Sequence, residues 1–319
     1  MIRLDALTLK QLRAMAAIAD SRSLTGAAAQ LGLTIPAVHA QLAGLETALG
    51  GSAFDRAEGF APSDEGMILL AAARRIEVAL GRASAEIEAL RRGEMGRVTL
   101  GVVSTGKYFA PSLVRALMDA VPGAGIALKI GNRESTIEGL ASGALDLAIM
   151  GRPPREPVVE AVPLGPHPHG IVLPRGHRLD GRREITAEDL ADETFICREA
   201  GSGTRILMTR YLDRIGEGAE YQTVEMDSNE TIKQAVIAGL GIAFLSLHTA
   251  VEELRSGRLR LLNAPGLPIQ RTWYLVNLQR DRPSPLAQRL AGEIAARASD
   301  LLAHLESDLA TAGGPLESG

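Results

Sequence analysis

Apolar residues recur at helical spacing through the first fifty positions. From Thr8 to Ala19, Leu9, Leu12, Met15, Ala16 and Ile18 fall on one stripe, which predicts an amphipathic helix. Ser23 stands as an N-cap before the alanine-rich stretch Leu24–Leu31, and Gly32 stops it. Thr34 caps a third helix, with Pro36 in the first turn, where a missing N–H does little harm. Val38, Leu42, Leu45 and Leu49 give that helix its buried face, and Gly50 and Gly51 end it. Two helices joined by a tight glycine turn and preceded by a third match a helix-turn-helix. A generic three-helix bundle has the same pattern. Ala27 and Ala28 are small enough for close helix crossing.

From Asp64 to Arg92 there is no proline. Leu69, Ala73, Ile76, Leu80, Ala83, Ile87 and Leu90 repeat at alternating spacings of four and three, a heptad seam. A helix from Ser63 to Arg92 is about 40 Å long at 1.5 Å per residue. Its seam is expected to pair with a second chain; packing on its own domain is the alternative.

After Arg97 the pattern becomes strands alternating with helices. Strands are predicted over Arg97–Val103, Ile126–Ile130, Leu145–Met150, Gly170–Pro174, Thr194–Cys197, Tyr221–Met226, Ile242–Leu245 and Thr272–Asn277. Helices are predicted over Pro111–Ala120, Ser135–Ser142, Thr204–Ile215, Asn229–Ala238 and Pro285–Leu305, with a loose polar tail after about Asp308. That order predicts an open, mostly parallel sheet and two α/β lobes with a ligand cleft at the carboxyl ends of strands.

Composition changes this picture at one point. Of 319 residues, 46% are hydrophobic and 23% charged, as in an ordinary globular protein, so the core can be large. The net charge is −4, whereas a nucleic-acid binder usually carries a basic surplus. From Met1 to Gly66, five Lys or Arg (Arg3, Lys10, Arg13, Arg22, Arg56) face seven acids, a net of −2, and Thr34–Leu49 holds no Lys or Arg. A single head is therefore expected to bind DNA weakly, compensated by helix N-terminal amides, a few arginines and linked half-sites. The lone Cys197 excludes an internal disulfide and fits a reducing cytoplasm. Met1–Lys10 lacks the apolar core of a signal peptide, and no membrane association is expected.

Several stretches carry a family likeness. Ser23-Leu24-Thr25-Gly26-Ala27-Ala28, Pro36-Ala37-Val38, Leu45-Glu46-Thr47-Ala48-Leu49-Gly50, Phe54-Asp55-Arg56 and Pro62-Ser63-Asp64-Glu65-Gly66 resemble the winged helix-turn-helix of LysR-type transcriptional regulators. Val103 to Pro111, Gly131 to Glu134, Asp146 to Pro154, Arg198 to Arg205 and Ser228 to Val236 are similar to the subgroup that regulates RuBisCO and other Calvin-cycle operons. The likeness spans residues 8 to 300. It implies an α/β protein with an all-α-dominated N-terminal winged helix-turn-helix (1–63), a long linker and dimerisation helix (64–92), and a two-lobed effector domain (97–319). That last domain would be of the periplasmic-binding-protein type II kind, lobe 1 about 97–165 and 269–306 and lobe 2 about 166–268. It implies promoter DNA, a small-molecule effector (sugar phosphate, nucleotide or organic acid) and RNA polymerase as partners, a homodimer or homotetramer, and no cofactor. The chain departs where family members often carry Gln and Ser and it has Ile35 and His39. Its wing, Ala57 to Ala61, is also short and without basic residues.

On this reading Arg22, Ser23, Thr25, Thr34, Ile35, Pro36, Ala37, His39, Ala40 and Arg56 are candidate DNA contacts. Ile35 and Ala40 suit thymine methyls and His39 a base edge or phosphate. Ser104, Thr105, Lys107, Asn132, Arg133, Arg152, Ser202, Thr204, Arg205, Asn229 and Glu230, at strand ends or helix starts, are candidate effector contacts. Gly201-Ser202-Gly203-Thr204-Arg205 opens a helix in a way that suits anions, and Arg133 and Arg152 suit bidentate hold of a phosphate or carboxylate. An ordinary glycine turn and surface ion pairs are the plain alternatives.

Three look-alikes are set aside. Gly101 to Lys107 nearly spells a P-loop, but Tyr108 stands where Mg²⁺ needs Ser or Thr. His167, His169 and His177 lie in a Pro/Gly-rich stretch read as crossover loop and strand, with no accompanying cluster for a metal. Cys197 is read as a buried strand residue. With no acid–base or nucleophile constellation, catalysis is not expected. A transporter's solute-binding protein, a two-lobed receptor with weak or lost DNA binding, and a LysR-type regulator of an unrelated operon remain the alternative readings.

Overall fold

Thr8 caps the first helix through a reciprocal pair with Gln11: the Gln11 N–H donates to Thr8 Oγ1 (3.3 Å) and the Thr8 N–H to Gln11 Oε1 (2.8 Å). Helix α1 (Leu9–Ser21) is followed by α2 (Leu24–Leu31), α3 (Ile35–Leu49), the paired strands β1 (Phe54–Asp55) and β2 (Ala61–Pro62), and the long helix α4 (Asp64–Arg91). A computed structural model describes residues 4–55, 59–91, 96–182, 184–216, 219–279 and 283–311. The chain divides into two compact units, Met1–Ile87 and Glu88–Gly319.

In the first unit Ser23 Oγ accepts from the Gly26 N–H (2.9 Å) and Thr34 Oγ1 from the Ala37 N–H (3.4 Å), as N-caps do. Gly32 and Gly50 close α2 and α3 in the left-handed conformation, at φ 64° and 79°. The core gathers Leu12, Met15, Ile18, Ala27, Val38, Leu42, Leu45 and Phe54. Leu42 is 1% exposed, so Leu42→Ala should destabilise this unit by about 2–5 kcal/mol. Thermal or denaturant unfolding of the full chain, followed by circular dichroism, reads that loss directly.

The start of α4 belongs to this core. Ala73 is buried in it and Leu69 packs against it, so these two seam positions already have partners within their own unit. Ile76, Leu80, Ala83 and Ile87 stay exposed, and the side chain of Leu90 lies outside the described residues. Arg13–Glu77 and Arg74–Asp20 ion pairs, both at 2.9 Å, tie α4 to α1; half-exposed pairs of this kind add little stability. The Glu77 carboxyl is held below its ordinary range chiefly by the Arg13 hydrogen bonds.

The second unit runs β3 (Arg97–Val103), α5 (Ala110–Ala120), β4 (Gly125–Gly131), α6 (Arg133–Ala141), β5 (Leu147–Met150) and β6 (Val159–Pro174). It continues through α7 (Ala187–Ala191), β7 (Thr194–Arg198), α8 (Gly203–Gly216), β8 (Gln222–Met226), α9 (Asn229–Ile237) and β9 (Ala243–Ser246). It ends with α10 (Val251–Arg255), β10 (Leu259–Leu261), β11 (Ile269–Leu278) and α11 (Pro285–Thr311). The main sheet has the order β10-β6-β11-β5-β3-β4, with β9 also on β6.

Three expectations are corrected here. The sheet is mixed: β3 pairs in parallel with β4 and β5, but β11 is antiparallel to both β5 and β6, and β6 to β9 and β10. The expected crossover loop is strand: β6 begins at Val159, eleven residues before the predicted start. Its prolines 163, 166 and 168 precede the stretch where β9 joins, so this part of β6 has β11 on one edge only, and an edge tolerates a missing N–H. Of the polar tail expected after about Asp308, residues 309–311 are helix, and 312–319 lie outside the described residues. Leu302 and Leu309 are buried along α11, and Asp308 pairs with Arg255 at 2.6 Å.

Two groups of core side chains result. One joins β3, β5, α5 and α11 around Leu100, Leu113, Ile149, Trp273 and Leu290. The other covers both faces of the β6–β9 region, around Phe195, Tyr211 and Phe244 and around Ile196, Val236 and Leu245. Strands β6 and β11 pass through both groups. Their pairing slips between Trp273 and Tyr274, where Gly165 takes φ 153°.

Candidate functional site

In the first unit the exposed side of α3 begins at its cap. Thr34, Ile35, Pro36, His39 and Ala40 are exposed and Ala37 half-buried, while Val38 and Leu42 point into the core. Arg22 and Thr25 are exposed and Ser23 half-buried at the start of α2. Arg22 ends α1 in a left-handed conformation at φ 53°. The α3 N-terminus thus presents small or apolar side chains on one surface, without a Lys or Arg. Arg56, the remaining predicted contact, lies outside the described residues.

In the second unit a cavity of about 770 Å³ opens where the ends of β3, β5 and β11 meet the starts of α6 and α8. The predicted Ser104, Thr105, Asn132, Arg133, Arg152, Ser202 and Thr204 line it. Each has a local reason to be there. Ser104 and Thr105 form a 3-10 turn at the end of β3. Asn132 caps α6, its Oδ1 accepting from the Ser135 N–H at 2.9 Å. Ser202 precedes and Gly203 opens the fourteen-residue α8, a helix start that favours an anion.

Charge is the cavity's main property. Arg133, Arg152, Arg155, Arg210 and Arg271 line it, with His167 and His169, and among the described residues no carboxylate does. Burial lowers the Arg133 pKa, and the charges of Arg152 and Arg210 lower it further. Arg133 is held in place by donating to the carbonyl of Arg152. An anion among these guanidinium groups relieves their repulsion and makes charge-assisted hydrogen bonds.

Four predicted contacts do not line the cavity. Lys107 pairs with Glu230 at 3.7 Å, and Glu230 also accepts from the Tyr108 hydroxyl and pairs with Lys233 at 3.1 Å. Arg205 is paired with Glu225 outside. Asn229, 2% exposed, serves from behind: its Oδ1 accepts from Arg198 Nη1 at 2.8 Å, and the same nitrogen donates to Ser104 Oγ at 2.9 Å. Residues at helix starts point either into a cleft or beside it, and spacing did not distinguish the two.

Arg155, Arg210, Arg271, His167, His169 and Met150 are among the lining residues that sequence reasoning missed. Arg210 had a signal: Gly203, Ile206, Leu207 and Arg210 share one face of α8, and all line the cavity. Arg271 and the histidines sit on β11 and β6, and only the pairing of those two strands brings them to the cleft.

The histidines form a buried cluster around Trp273. His167 stacks on the indole with centroids 3.7 Å apart, and lies 4.2 Å from His169 and 5.9 Å from His248. Burial is the main cause that lowers all three: His167 well below the ordinary value of 6.5, His169 to about 3 and His248 to about 4. His177, away from them, pairs with Glu193 at 3.3 Å. Cys197 is buried in β7 and burial raises its pKa.

Comparison with known proteins gives the following. Residues 9–67 match the family described as bacterial regulatory helix-turn-helix protein, lysR family, and residues 91–299 match the LysR substrate binding domain. The chain is 57% identical over 298 residues to the HTH-type transcriptional regulator CbbR of Cereibacter sphaeroides, covering 92% of this chain and 96% of that one. It is 38% identical over 281 residues to the RuBisCO operon transcriptional regulator of Allochromatium vinosum, covering 88% and 93%. The solved regulatory domain of Synechocystis CcmR in complex with 2-PG superposes with a TM-score of 0.60 at 34% identity, covering 64% of this chain and 98% of that domain.

Proposed function

As the chain belongs to the LysR family of transcriptional regulators, we propose that its helix-turn-helix head reads promoter DNA of carbon-fixation genes and that a small anionic metabolite in the arginine-lined cavity sets its output. One observation carries the second half. Among the described residues, five arginines and no carboxylate line a cavity of about 770 Å³, a size that encloses a metabolite. The likeness to a regulatory domain solved in complex with 2-PG supports a small-molecule effector for this domain. A sugar phosphate, a nucleotide or an organic acid fits the description, held by the arginines, the Ser104 and Thr105 hydroxyls and the α8 N-terminus.

On this reading residues 1–63 are the DNA-binding domain, 64–92 the linker helix and 97–319 the effector domain. Its lobe 1 is about 97–165 with 269–306, and its lobe 2 about 166–268. Two copies pair through Ile76, Leu80, Ala83 and Ile87, which are exposed in the single chain, and pairs of dimers give a tetramer. Pairing doubles the protein–DNA contacts and so offsets the acidic head. Effector binding shifts the lobes, and the changed spacing of heads alters DNA bending and contact with RNA polymerase. Such a protein works in the cytoplasm as a regulator and not as an enzyme. Among the described residues no helix is long and apolar enough to cross a membrane.

Titration calorimetry on the full chain against sugar phosphates, phosphoenolpyruvate, NADPH and 2-PG tests the anion reading. At least one should bind, and Arg210→Gln should weaken it about 10- to 100-fold, the worth of one charged hydrogen-bond donor. Silence toward all four overturns the reading. A gel-shift with the chain's own upstream promoter, at stated salt, tests the other half.

A further inference from the structure

Arg198 ends β7 at 3% exposure and is not among the residues that line the cavity. A buried cation is costly unless it is paired. Glu199 pairs it twice, accepting from Nε at 2.7 Å and from Nη2 at 2.8 Å. Nη1 takes no part in that pair. It donates instead to Ser104 Oγ at 2.9 Å and to Asn229 Oδ1 at 2.8 Å. Strand β7 belongs to the two-stranded sheet with β8, whereas Ser104 follows β3 of the main sheet. This one nitrogen therefore spans from one sheet to the other.

The direction of each bond is fixed by chemistry, because a guanidinium donates and never accepts. Asn229 must present Oδ1 to Nη1, and its Nδ2 is left buried without a hydrogen-bonding partner. Native folds rarely keep such an atom without a reason; here the reason is the hold of Oδ1 on Arg198. Ser104 Oγ must likewise accept from Nη1. Its own hydrogen then has to be given elsewhere, and among the described residues no protein acceptor takes it. Ser104 is half-buried and lines the cavity.

We propose that Arg198 is a positioning residue for the effector: it occupies the acceptor side of Ser104 Oγ, so that this hydroxyl serves as a donor to an effector oxygen in the cavity. Glu199 and Asn229 hold Arg198 in place for that purpose. The inference rests on the anion reading above and adds a direction to one of its contacts. An uncommitted serine hydroxyl rotates to suit either a donor or an acceptor. One that already accepts from a cation rewards a phosphate or carboxylate oxygen, and polarisation along the chain of hydrogen bonds strengthens its O–H as a donor.

The test is a double-mutant cycle on the full chain, read by titration calorimetry with phosphoenolpyruvate and inorganic phosphate as probes. Ser104→Ala should weaken binding of the tighter probe about 10- to 100-fold, the worth of a hydrogen bond to a charged group. Arg198→Lys keeps a cation beside Glu199 but loses the fork. It should weaken binding about 10-fold in the parent, yet less than about 2-fold once Ser104 is replaced by alanine. A merely structural role would weaken both backgrounds alike. Asn229→Ala, which removes the second acceptor of Nη1, should follow the same pattern, and it completes the cycle if circular dichroism shows Arg198→Lys unfolded. If neither probe binds the parent, the anion reading fails and this inference with it. If a probe binds the parent, this inference alone fails when Ser104→Ala or the folded partner variant binds as tightly as the parent, or when the two losses simply add.

Discussion

Acidification from pH 8 to pH 5 should lower the melting temperature of the protein steeply, with most of the loss below pH 6.5. The cause is the buried cluster His167, His169 and His248 around Trp273. Above 6.5, the ordinary value, these imidazoles are neutral whether the chain is folded or not. As the pH falls through 6.5 the unfolded chain takes up protons that the folded chain refuses, so unfolding becomes easier. The loss continues until the folded values, about 4 for His248 and about 3 for His169. At pH 5 His169 and His248 each remove on the order of 2 kcal/mol, and His167 acts in the same direction, a large part of the stability of an ordinary domain. Unfolding followed by circular dichroism at stepped pH reads this. His169→Asn should make the slope shallower. A melting temperature that is level between pH 8 and pH 5 would show that the cluster is not buried and neutral.

Ile35→Glu should abolish promoter binding while leaving the fold as stable as before or slightly more so. Ile35 is the first residue of α3, exposed, just after the Thr34 cap. A carboxylate at a helix N-terminus is favourable by about 0.3–1 kcal/mol, so the helix gains. DNA phosphates meet the opposite. The face offers no Lys or Arg of its own to offset a new negative charge. Unit charges at about 4 Å in water repel by about 1 kcal/mol, with several phosphates in range and two heads per dimer. A loss of at least about 100-fold in affinity follows from those terms. Fluorescence anisotropy with labelled promoter DNA, beside a melting curve, separates the two effects. Undiminished binding would remove α3 from the DNA interface.

These two expectations draw unequally on the sequence. The helix-turn-helix could be read directly: Ser23, Thr34, Gly32 and Gly50 are local signals, and each caps or closes the predicted helix. Seven of the eleven predicted cavity residues line the cavity, because strand ends and helix starts follow from local pattern. The histidine cluster could not be read that way. His248 and Trp273 are distant in sequence from His167 and His169, and prolines made the stretch around these last two look like a loop.

Helix positions, their caps, the apolar faces and the family were all written in the order of residues, since each depends on neighbours within a few positions. Tertiary structure alone decided the antiparallel run of β6 against β11. That pairing brings Arg271, His167 and His169 to the cavity wall, and packing within the first unit separately puts Leu69 and Ala73 in the head's own core. The physical reason is that side-chain surroundings, and with them burial, charge and protonation, are set by contacts between segments far apart in the chain.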